Sequence, residues 1–550
     1  MTTAAAPQHD VVIMGGGLAG LTLALQLKQR FEGIDVLVLE RRGHPLPHAT
    51  HKVGESSVEI GAHYFDTVLG LKPHMHSGQL YKFGFRFFFS EGRRDIDQVT
   101  EIGASRYLPI PSYQIDRGIF ENYLGEEALR RGVRFVDNAM VRQIELADGE
   151  DADGLHRLSW TQGGETHSTQ SRWLIDACGR AGLLKRKLGL AETNAHDVNA
   201  AWFRIGERID VDQWSDNEEW RALCEPQARW LSTNHMCGAG YWVWLIPLAS
   251  GSHSVGIVAD PKLHPLETYH TFDKAMDWLK RWQPAVFDKL DDKRHLLQDF
   301  LFLRHFSHGC KQVFSGKHWA LTGEAGLFLD PFYSPGSDFI AMGNTYITDL
   351  IAHDRAGDPL EARAQLYDQL YHSFYESTLA LYQDQYPLFG DPEVLPVKVI
   401  WDYTYYWGVL SQIFFQERLT DLTMLGSLKS ELLHCQKLNI AAQHFMREWS
   451  GVSAKRNPAV MLDHAALPWF VELNQSMKDK RDDDDAFRRR IRSAVVLLRQ
   501  LAGEMVERAN QDYPALGSGA LGPLLAQEIP GLPVNQAQTA MLFTATPVLA

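Results

Sequence analysis

The chain has 550 residues, which at about 150 residues per domain predicts two to four domains. Hydrophobic residues make up 45% and charged residues 22%, a globular balance that excludes collagen-like, wholly disordered and coiled-coil proteins. The 54 Lys and Arg against 68 Asp and Glu give a net charge of −14, which disfavours nucleic acid as a partner. The 5 cysteines are far apart and odd in number, so we expect neither a disulfide framework nor a C-x-x-C metal site, and we assign no metal ligands.

The N-terminal segment lacks the features of a secretion signal. Its first ten residues contain no basic stretch followed by an apolar core. The longest apolar run, 11–27, is interrupted by glycines and makes a poor membrane span. We therefore expect a cytoplasmic protein without a transmembrane helix.

Residues 11–40 have the pattern of one βαβ unit: an apolar strand, a glycine-rich turn, a helix and a second strand. The turn carries Gly-x-Gly-x-x-Gly, and glycines there let backbone amides approach a pyrophosphate at the helix N-terminus. A carboxylate at the end of the second strand has the spacing that meets ribose hydroxyls, which favours FAD or NAD over NADP, although an adjacent arginine leaves NADP open. The residues predicted to bind the dinucleotide are Gly15, Gly17, Leu18, Ala19, Gly20, Glu40 and Arg41.

Further elements follow in chain order. Strand patterns recur near 141–147 and 172–180, residues 199–258 are β-rich, and a helix is predicted from about 338. Helical periodicity dominates after about residue 360. Within that region, 478–492 are predicted to form a solvated turn and the start of a helix, and 515–535 are predicted to be irregular. We predict an α/β chain, α+β overall, made of a Rossmann-like nucleotide-binding domain, a mostly antiparallel β-sheet substrate domain and a helical C-terminal region. The predicted boundaries are 1–198 and 311–365 for the first, 199–310 for the second with a contribution from 78–112, and 366–550 for the third.

Three segments resemble the flavoprotein monooxygenase and halogenase superfamily, and this resemblance implies FAD as the cofactor. QIDRGIFENYL resembles its Gln-x-x-Arg helix and implies that Gln114 and Arg117 lie near the flavin. LIDACGRAG resembles its Asp-Ala-x-Gly-Arg stretch, which assigns Asp176 to the cofactor. LTGEAGLFLDP resembles the Gly-Asp-Ala…Asp-Pro motif that holds the ribityl chain, with Asp330 in place and Glu324 standing one methylene longer than the usual aspartate.

The segment YWVWLIP contains Trp-x-Trp-x-Ile-Pro, which resembles the flavin-dependent halogenases. Trp242 and Trp244 are two apart in a strand and therefore share one face, where they form a broad apolar wall. Such a wall keeps the organic substrate away from the flavin and so suppresses direct hydroxylation. In a chain with 15 tryptophans, a core strand that happens to carry two of them is the alternative.

GQLYKFGFRF resembles a segment of the phenol- and pyrrole-type halogenases whose lysine is catalytic, and this implies that role for Lys82. The phenylalanines that follow it would desolvate its ammonium group and shift its pKa. The alternative is a surface lysine that keeps its ammonium in water. HKVGESS resembles a loop close to the flavin, so Lys52 is assigned to the cofactor and competes for the catalytic role.

FLDPFYSPG resembles the Phe-x-x-Pro-x-x-Ser-x-Gly pattern of flavin halogenases, which assigns Ser334 and Gly336 to halide and Gly336 also to FAD. Pro335 departs from the family. Many members have Thr or Ser at this position, and the backbone N–H of that residue contributes to the halide site, whereas proline has no N–H. Tyr333 stands where tryptophan halogenases carry a glutamate, which argues against free tryptophan as substrate.

The resemblance implies a halogenase that installs chloride or bromide on an electron-rich aromatic ring, either phenolic or a carrier-protein-bound aryl group. A separate flavin reductase supplies reduced FAD, O2 gives a flavin C4a-hydroperoxide, and halide becomes hypohalous acid that reaches the lysine. The implied catalytic residues are Lys82, Trp242, Trp244 and Ser334. Two alternatives are a flavin-dependent monooxygenase or dehydrogenase on the same scaffold, and a flavoprotein sensor that has lost the halide site.

Overall fold

A computed structural model describes residues 6–49, 54–147 and 154–529. Its strands, in chain order, are β1 (Gln8–Met14), β2 (Val36–Leu39), β3 (Leu80–Tyr81), β4 (Phe85–Phe88), β5 (Glu101–Gly103), β6 (Tyr113–Gln114), β7 (Arg134–Val136), β8 (Met140–Glu145), β9 (His156–Gln162), β10 (Glu165–Asp176), β11 (Ala191–Glu192), β12 (Asn199–Ile205), β13 (Thr233–Gly238), β14 (Tyr241–Pro247), β15 (His253–Ala259), β16 (Leu297–Leu303), β17 (Gly309–Cys310), β18 (Phe314–Ser315), β19 (Trp319–Leu321) and β20 (Met461–Asp463). Its α-helices are α1 (Leu18–Arg30), α2 (Glu59–His63), α3 (Lys72–Gly78), α4 (Arg117–Arg130), α5 (Leu183–Lys187), α6 (Glu218–Ala222), α7 (Phe272–Trp282), α8 (Pro284–Leu290), α9 (Gly336–Ala356), α10 (Glu361–Leu379), α11 (Leu395–Tyr405), α12 (Ser411–Phe415), α13 (Leu422–Ser427), α14 (Lys429–Val452), α15 (Pro468–Ser476), α16 (Asp484–Asp512) and α17 (Leu521–Ala526).

The chain forms two compact units that each combine separate stretches of sequence. Unit 1 comprises 1–79, 115–194 and 307–375, and unit 2 comprises 80–114, 195–306 and 376–550. The mixed α/β class with a Rossmann-type nucleotide-binding fold is confirmed. The sequence-based domain boundaries stay a prediction.

Unit 1 is built on a sheet with the strand order β18-β19-β10-β1-β2-β7, to which β9 and β8 are added beside β10. The pairs from β19 to β7 are all parallel, as expected when helices connect the strands. Val11 to Met14 of β1 are fully buried, which explains why this strand has a continuous apolar sequence rather than an alternating one. The order β1-α1-β2 is the βαβ unit predicted from residues 11–40.

Asp354, near the end of α9, ties this helix to the strands of unit 1. Its carboxylate accepts hydrogen bonds from Arg172 Nε at 2.6 Å and from Trp173 Nε1 at 2.9 Å, and His318 Nε2 lies 3.1 Å away. Burial raises the pKa of Asp354, but these hydrogen bonds outweigh it and hold the pKa below its ordinary value.

Unit 2 is built on a sheet with the order β16-β12-β15-β14-β13-β4-β5-β20. Its pairs are antiparallel except β13 with β4 and β5 with β20, so the mostly antiparallel prediction is confirmed. One face of this sheet packs on α7 and α8 to form a large apolar cluster. The opposite face carries the aromatic residues described below.

The C-terminal region differs from the sequence-based prediction in two places. Residues predicted to be helical include β20, where Met461 pairs with Glu101 of β5 at the edge of the sheet. The segment predicted to be irregular contains α17, and Arg499 of α16 donates to the Leu524 carbonyl at 2.8 Å. The helix start predicted in 478–492 is confirmed, because Asp483 caps α16 by accepting from Ala486 N at 2.7 Å. Within the described part of the chain, no helix has the length and apolar character needed to cross a bilayer.

Candidate active site

The glycine turn between β1 and α1 has a geometry that larger residues do not fit. Gly15 has φ +110°, and an ideal Cβ at this position would lie 2.3 Å from the Ala177 carbonyl oxygen. A Cβ on Gly20 would lie 2.0 Å from the Gly15 carbonyl oxygen. Gly17 precedes α1 without a side-chain cap, so the amides of the first helical turn, including Leu18 and Ala19, lack intrahelical acceptors. Such a helix start is suited to an anionic group.

Glu40 follows β2 and closes this turn from the other side. Its carboxylate accepts hydrogen bonds from Gly16 N at 2.7 Å and from Arg42 N at 2.8 Å. Arg41, beside it, is exposed. The structure therefore brings the glycine turn and the carboxylate together, as the spacing predicts.

Asp176 shapes the turn that follows β10 beside the glycine turn. The carboxylate is fully buried and accepts from Cys178 N at 3.0 Å and from Leu184 N at 2.7 Å. Burial raises its pKa, although the two backbone N–H donors oppose that shift. Asp176 thus fixes the backbone next to Ala177, whose carbonyl oxygen excludes a side chain at position 15.

Glu324 and Arg180 form an ion pair that sequence analysis did not foresee. Arg180 Nε lies 3.1 Å from Glu324 Oε2, and the Arg180 guanidinium carbon is 5.1 Å from the centre of the Phe328 ring. Burial lowers the pKa of Arg180, and Glu324 partly offsets this. Nearby in sequence, the buried Asp330 accepts from Phe332 N at 2.9 Å and so fixes the loop that leads to Ser334.

The start of α9 combines backbone strain with open space. Ser334 has φ +53°, in the left-handed region, and its N–H donates to the Pro331 carbonyl at 2.9 Å. Pro335 precedes the helix, and Gly336 is its first residue. An ideal Cβ on Gly336 would have no heavy atom within 4 Å. Gly336 is therefore exposed at the positive end of the helix dipole.

Asn344 of α9 is a central residue of unit 1 that sequence analysis missed. Its amide donates to the Thr22 hydroxyl at 3.1 Å and to the Tyr64 hydroxyl at 3.1 Å, and it accepts from the Thr322 hydroxyl at 2.7 Å. It thereby holds α9 against α1. The only signal in the sequence is an amide side chain among apolar residues of this helix.

Gln114 and Arg117 do not share a helix, which corrects the prediction made for this segment. Gln114 ends β6 and its amide donates to the Thr233 hydroxyl at 3.1 Å, both residues belonging to unit 2. Arg117 begins α4 in unit 1, where its Nε donates to Glu121 Oε1 at 3.0 Å. The N-cap residue before it has an extended backbone and no side-chain capping hydrogen bond. Lys52, the other candidate near this segment, lies outside the described residues.

Trp242 and Trp244 lie on one face of β14, as the strand period predicts. They are 1% and 3% exposed, and their ring centres are 5.6 Å apart. The intervening Val243 belongs to the apolar cluster on the opposite face. Trp242 Nε1 donates to the Tyr386 hydroxyl at 3.0 Å, and Trp244 Nε1 donates to the Ser254 hydroxyl at 3.0 Å.

The two tryptophans belong to a longer row of rings that crosses the sheet of unit 2. His235 of β13 lies 5.1 Å from Trp242 and stacks on Phe87 of β4 with ring centres 4.4 Å apart. Phe85 lies 5.4 Å from His235. We call this row, made of Trp244, Trp242, His235, Phe87 and Phe85, the aromatic face.

Lys82 lies at the Phe85 end of the aromatic face. Its side chain is buried, with 3% of the residue exposed, and its ammonium nitrogen is 3.4 Å from the centre of the Phe85 ring. This burial contradicts the alternative of a surface lysine. The structure therefore places Lys82 and both tryptophans in one aromatic environment within unit 2.

Comparison with known proteins identifies the nucleotide-binding part of the chain. Residues 8–265 match a family model described as FAD binding domain. Flavin-dependent halogenase chlA of Dictyostelium discoideum is 25% identical over 433 residues, which cover 73% of this chain and 70% of that protein. A 1H-pyrrole-2-carbonyl peptidyl-carrier-protein brominase of Pseudoalteromonas luteoviolacea is 26% identical over 352 residues, which cover 62% of this chain and 77% of that protein.

A solved structure shows the same fold. The crystal structure of halogenase PltM in complex with phloroglucinol and FAD aligns with a TM-score of 0.60 at 17% identity. The alignment covers 90% of this chain and 96% of that protein. At this identity the likeness concerns the fold alone.

Proposed function

We propose that this chain, which is similar to flavin-dependent halogenases, uses reduced FAD, O2 and chloride or bromide to halogenate an electron-rich aromatic ring. The observation that carries the proposal is the aromatic face, which runs from the two tryptophans of β14 to the buried Lys82. A buried ammonium group against an aromatic ring is suited to holding a small polar reagent away from water.

The residues of unit 1 fit FAD. The glycine turn offers backbone N–H groups and helix-dipole charge to a pyrophosphate, and Glu40 stands where ribose hydroxyls bind in this type of fold. Reduced FAD, when bound, supplies the two-electron activation of O2 that oxidises halide to the level of hypohalous acid. We assign halide to Ser334 and Gly336, because α9 begins at the exposed Gly336 and offers an anion the positive end of its dipole.

The residues of unit 2 control the oxidised halogen. Both indole N–H groups of β14 already donate to hydroxyl groups, so the tryptophans present their flat apolar surfaces and exclude water and competing nucleophiles. Lys82 either donates a hydrogen bond to the oxygen of hypohalous acid or carries the halogen as a haloamine. In both cases the halogen is transferred to a carbon of the aromatic substrate, and the oxygen of hypohalous acid leaves as water.

Names of related proteins guide the choice of substrate. One relative is a brominase of a carrier-protein-bound pyrrole, and a protein of the same fold was crystallised with phloroglucinol, a trihydroxybenzene. We therefore propose a phenolic or carrier-bound aryl substrate for this chain, with a separate flavin reductase that supplies reduced FAD.

A product assay tests the proposal. The purified protein is given FAD, a flavin reductase, NADH, bromide and a panel of simple phenols, and products are followed by mass spectrometry. A bromine isotope doublet that requires both bromide and this protein is expected. A hydroxylated product, or steady NADPH oxidation without the reductase, would instead support the monooxygenase alternative, and bound FAD without turnover would support a sensor.

A further inference from the structure

Several buried polar groups of unit 2 lack hydrogen-bond partners among the described residues, and two of them lie against the same aromatic rings. His464, in the turn that follows β20, is 2% exposed, and neither of its ring nitrogens has a partner there. Trp407, between α11 and α12, is fully buried, and its indole N–H has none either. Because a buried unsatisfied polar group costs about 1–3 kcal/mol, two such groups call for a functional explanation.

The two groups lie against the same rings. Phe470 of α15 has its ring centre 5.2 Å from that of His464 and 4.5 Å from that of Trp407. Tyr403 of α11 lies 5.8 Å from His464 and 4.6 Å from Trp407. The turn after β20 and the helix that contains Trp407 thus place one acceptor and one donor against the same two aromatic rings, a combination of groups suited to an aromatic ligand that carries a hydroxyl group.

This enclosure adjoins the Lys82 end of the aromatic face. The ring of Tyr403 lies 6.1 Å from that of Phe85, and the Lys82 ammonium lies over the Phe85 ring. A ligand whose polar group meets His464 therefore lies on the side of the sheet where Lys82 presents its nitrogen.

We propose that His464 accepts a hydrogen bond from the hydroxyl group of a phenolic substrate and takes up its proton while the ring is halogenated. The inference rests on the proposed halogenase function, and it identifies His464 as the residue that makes the enzyme prefer a phenol over other aromatic substrates. In this proposal Trp407, which packs on the same two rings, contributes a second polar group, its unpartnered indole N–H.

The electrostatic surroundings keep the His464 imidazole neutral. Burial lowers its pKa to about 4, the Asp463 carboxylate raises it, and the Arg86 guanidinium of β4 lowers it. The groups packed on it from α11 and α15, Tyr403 and Phe470, are uncharged at neutral pH. A neutral imidazole offers one acceptor nitrogen, which is what a phenolic O–H requires.

The proton transfer is coupled to halogenation because a free phenol, with a pKa of about 10, is too weak an acid for this imidazole. When a ring carbon takes the halogen from hypohalous acid, the C–halogen bond forms as the halogen–oxygen bond breaks, and the phenolic O–H becomes strongly acidic. His464 then accepts that proton. The hydroxide released takes the proton lost from the halogenated carbon and forms water, and His464 returns its proton to the oxygen as the ring regains aromaticity.

The test compares His464→Phe with the unaltered enzyme on resorcinol and on its dimethyl ether. Phenylalanine keeps the ring contacts and removes the acceptor, so we expect FAD content and thermal stability to be retained. The rate on resorcinol should fall by about tenfold while the rate on the ether changes little, since one hydrogen bond contributes up to about 1.5 kcal/mol. The variant's rate on resorcinol should also rise with pH as the phenol itself ionises.

His264→Phe is the matched control, because His264 is a second buried histidine of unit 2 whose Nε2 lies 2.9 Å from the Ala239 carbonyl oxygen. Its loss should change stability without changing the preference for resorcinol over the ether. Calorimetric titration with resorcinol gives a readout that needs no turnover, and His464→Phe should weaken this binding by about tenfold.

An unchanged preference, pH profile and resorcinol affinity in His464→Phe would overturn the role of His464 even if the enzyme is a halogenase. Halogenation confined to rings without a hydroxyl group would do the same. If no substrate is halogenated but resorcinol binds through His464, the proposed function fails and the binding site stands.

Discussion

Replacing Lys82 with methionine separates a catalytic lysine from a structural one. Methionine keeps the unbranched stem over the Phe85 ring and gains a sulfur–aromatic contact of about 0.3–1.5 kcal/mol. It loses a cation–π contact that contributes about 2 kcal/mol when desolvated, but it also removes the cost of burying a charge. We therefore expect the free energy of unfolding to change by less than about 2 kcal/mol.

Halogenation should respond far more strongly than stability in Lys82→Met. Removing a single group that acts on the reacting atoms typically costs about 100- to 1,000-fold in rate, so product formation should fall by at least about 100-fold. FAD content, oxygen uptake and thermal unfolding are measured beside product, with the exposed Lys262→Met as the control. Product at the unaltered rate, or a loss of product that only follows a loss of FAD, would refute a catalytic role for Lys82.

Three further changes test other parts of the structure. Trp244→Phe leaves the buried Ser254 hydroxyl without its donor, which should cost about 1–3 kcal/mol of stability. The variant should also form less halogenated product per O2 consumed. Trp278→Phe, on the opposite face of the sheet, is the control and should leave that ratio unchanged. Gly15→Ala places a Cβ 2.3 Å from a backbone oxygen and should abolish FAD retention, which is measured by flavin absorbance. The control is Gly33→Ala, also at positive φ but with no heavy atom within 4 Å of the new Cβ. It should lower the free energy of unfolding by about 1 kcal/mol and keep FAD. The pKa of Asp354 is lower in the folded state than its unfolded value of about 3.9, so its carboxylate stabilises the protein above that pH and loses this effect as pH falls. Asp354→Asn should therefore unfold at a lower temperature than the unaltered protein at pH 7. The difference in unfolding temperature should close on acidification.

The nucleotide-binding half of the molecule could be predicted because its determinants are local in sequence. The glycine turn, α1 and Glu40 lie within one βαβ unit, and chain periodicity alone orders them. The placement of the two tryptophans on one face follows from the strand period in the same way. Burial of Lys82 was inferred from neighbouring phenylalanines, and the structure shows the contact with Phe85.

The parts that sequence did not reveal depend on pairing between distant segments. The strand β20 joins the sheet through β5, which lies some 360 residues earlier in the chain, and no local pattern encodes that partner. Asn344 connects three elements through one amide, so it has no spacing motif. His464 is likewise a lone histidine in sequence, and only the convergence of three elements shows that its nitrogens are enclosed by rings.

Pro335 offers the sharpest test of where halide binds. Proline here has φ −75° and supplies no N–H at the start of α9, one residue before Gly336. Pro335→Ala restores this donor without adding a side-chain cap, and a hydrogen bond to an anion contributes about 1.5–3 kcal/mol, although part of this is offset by the flexibility that alanine adds. We therefore expect the KM for bromide to fall by about tenfold while the KM for the arene stays constant.

Pro331→Ala is the matched control, since it also removes a proline from this loop but restores a donor four residues earlier, at the start of the turn that ends at Ser334. Bromide KM should be unaffected in that variant. A KM for bromide that is unchanged in Pro335→Ala would mean that the anion does not meet the first turn of α9. In that case the strained Ser334 backbone, at φ +53°, would serve to shape the loop rather than to bind halide.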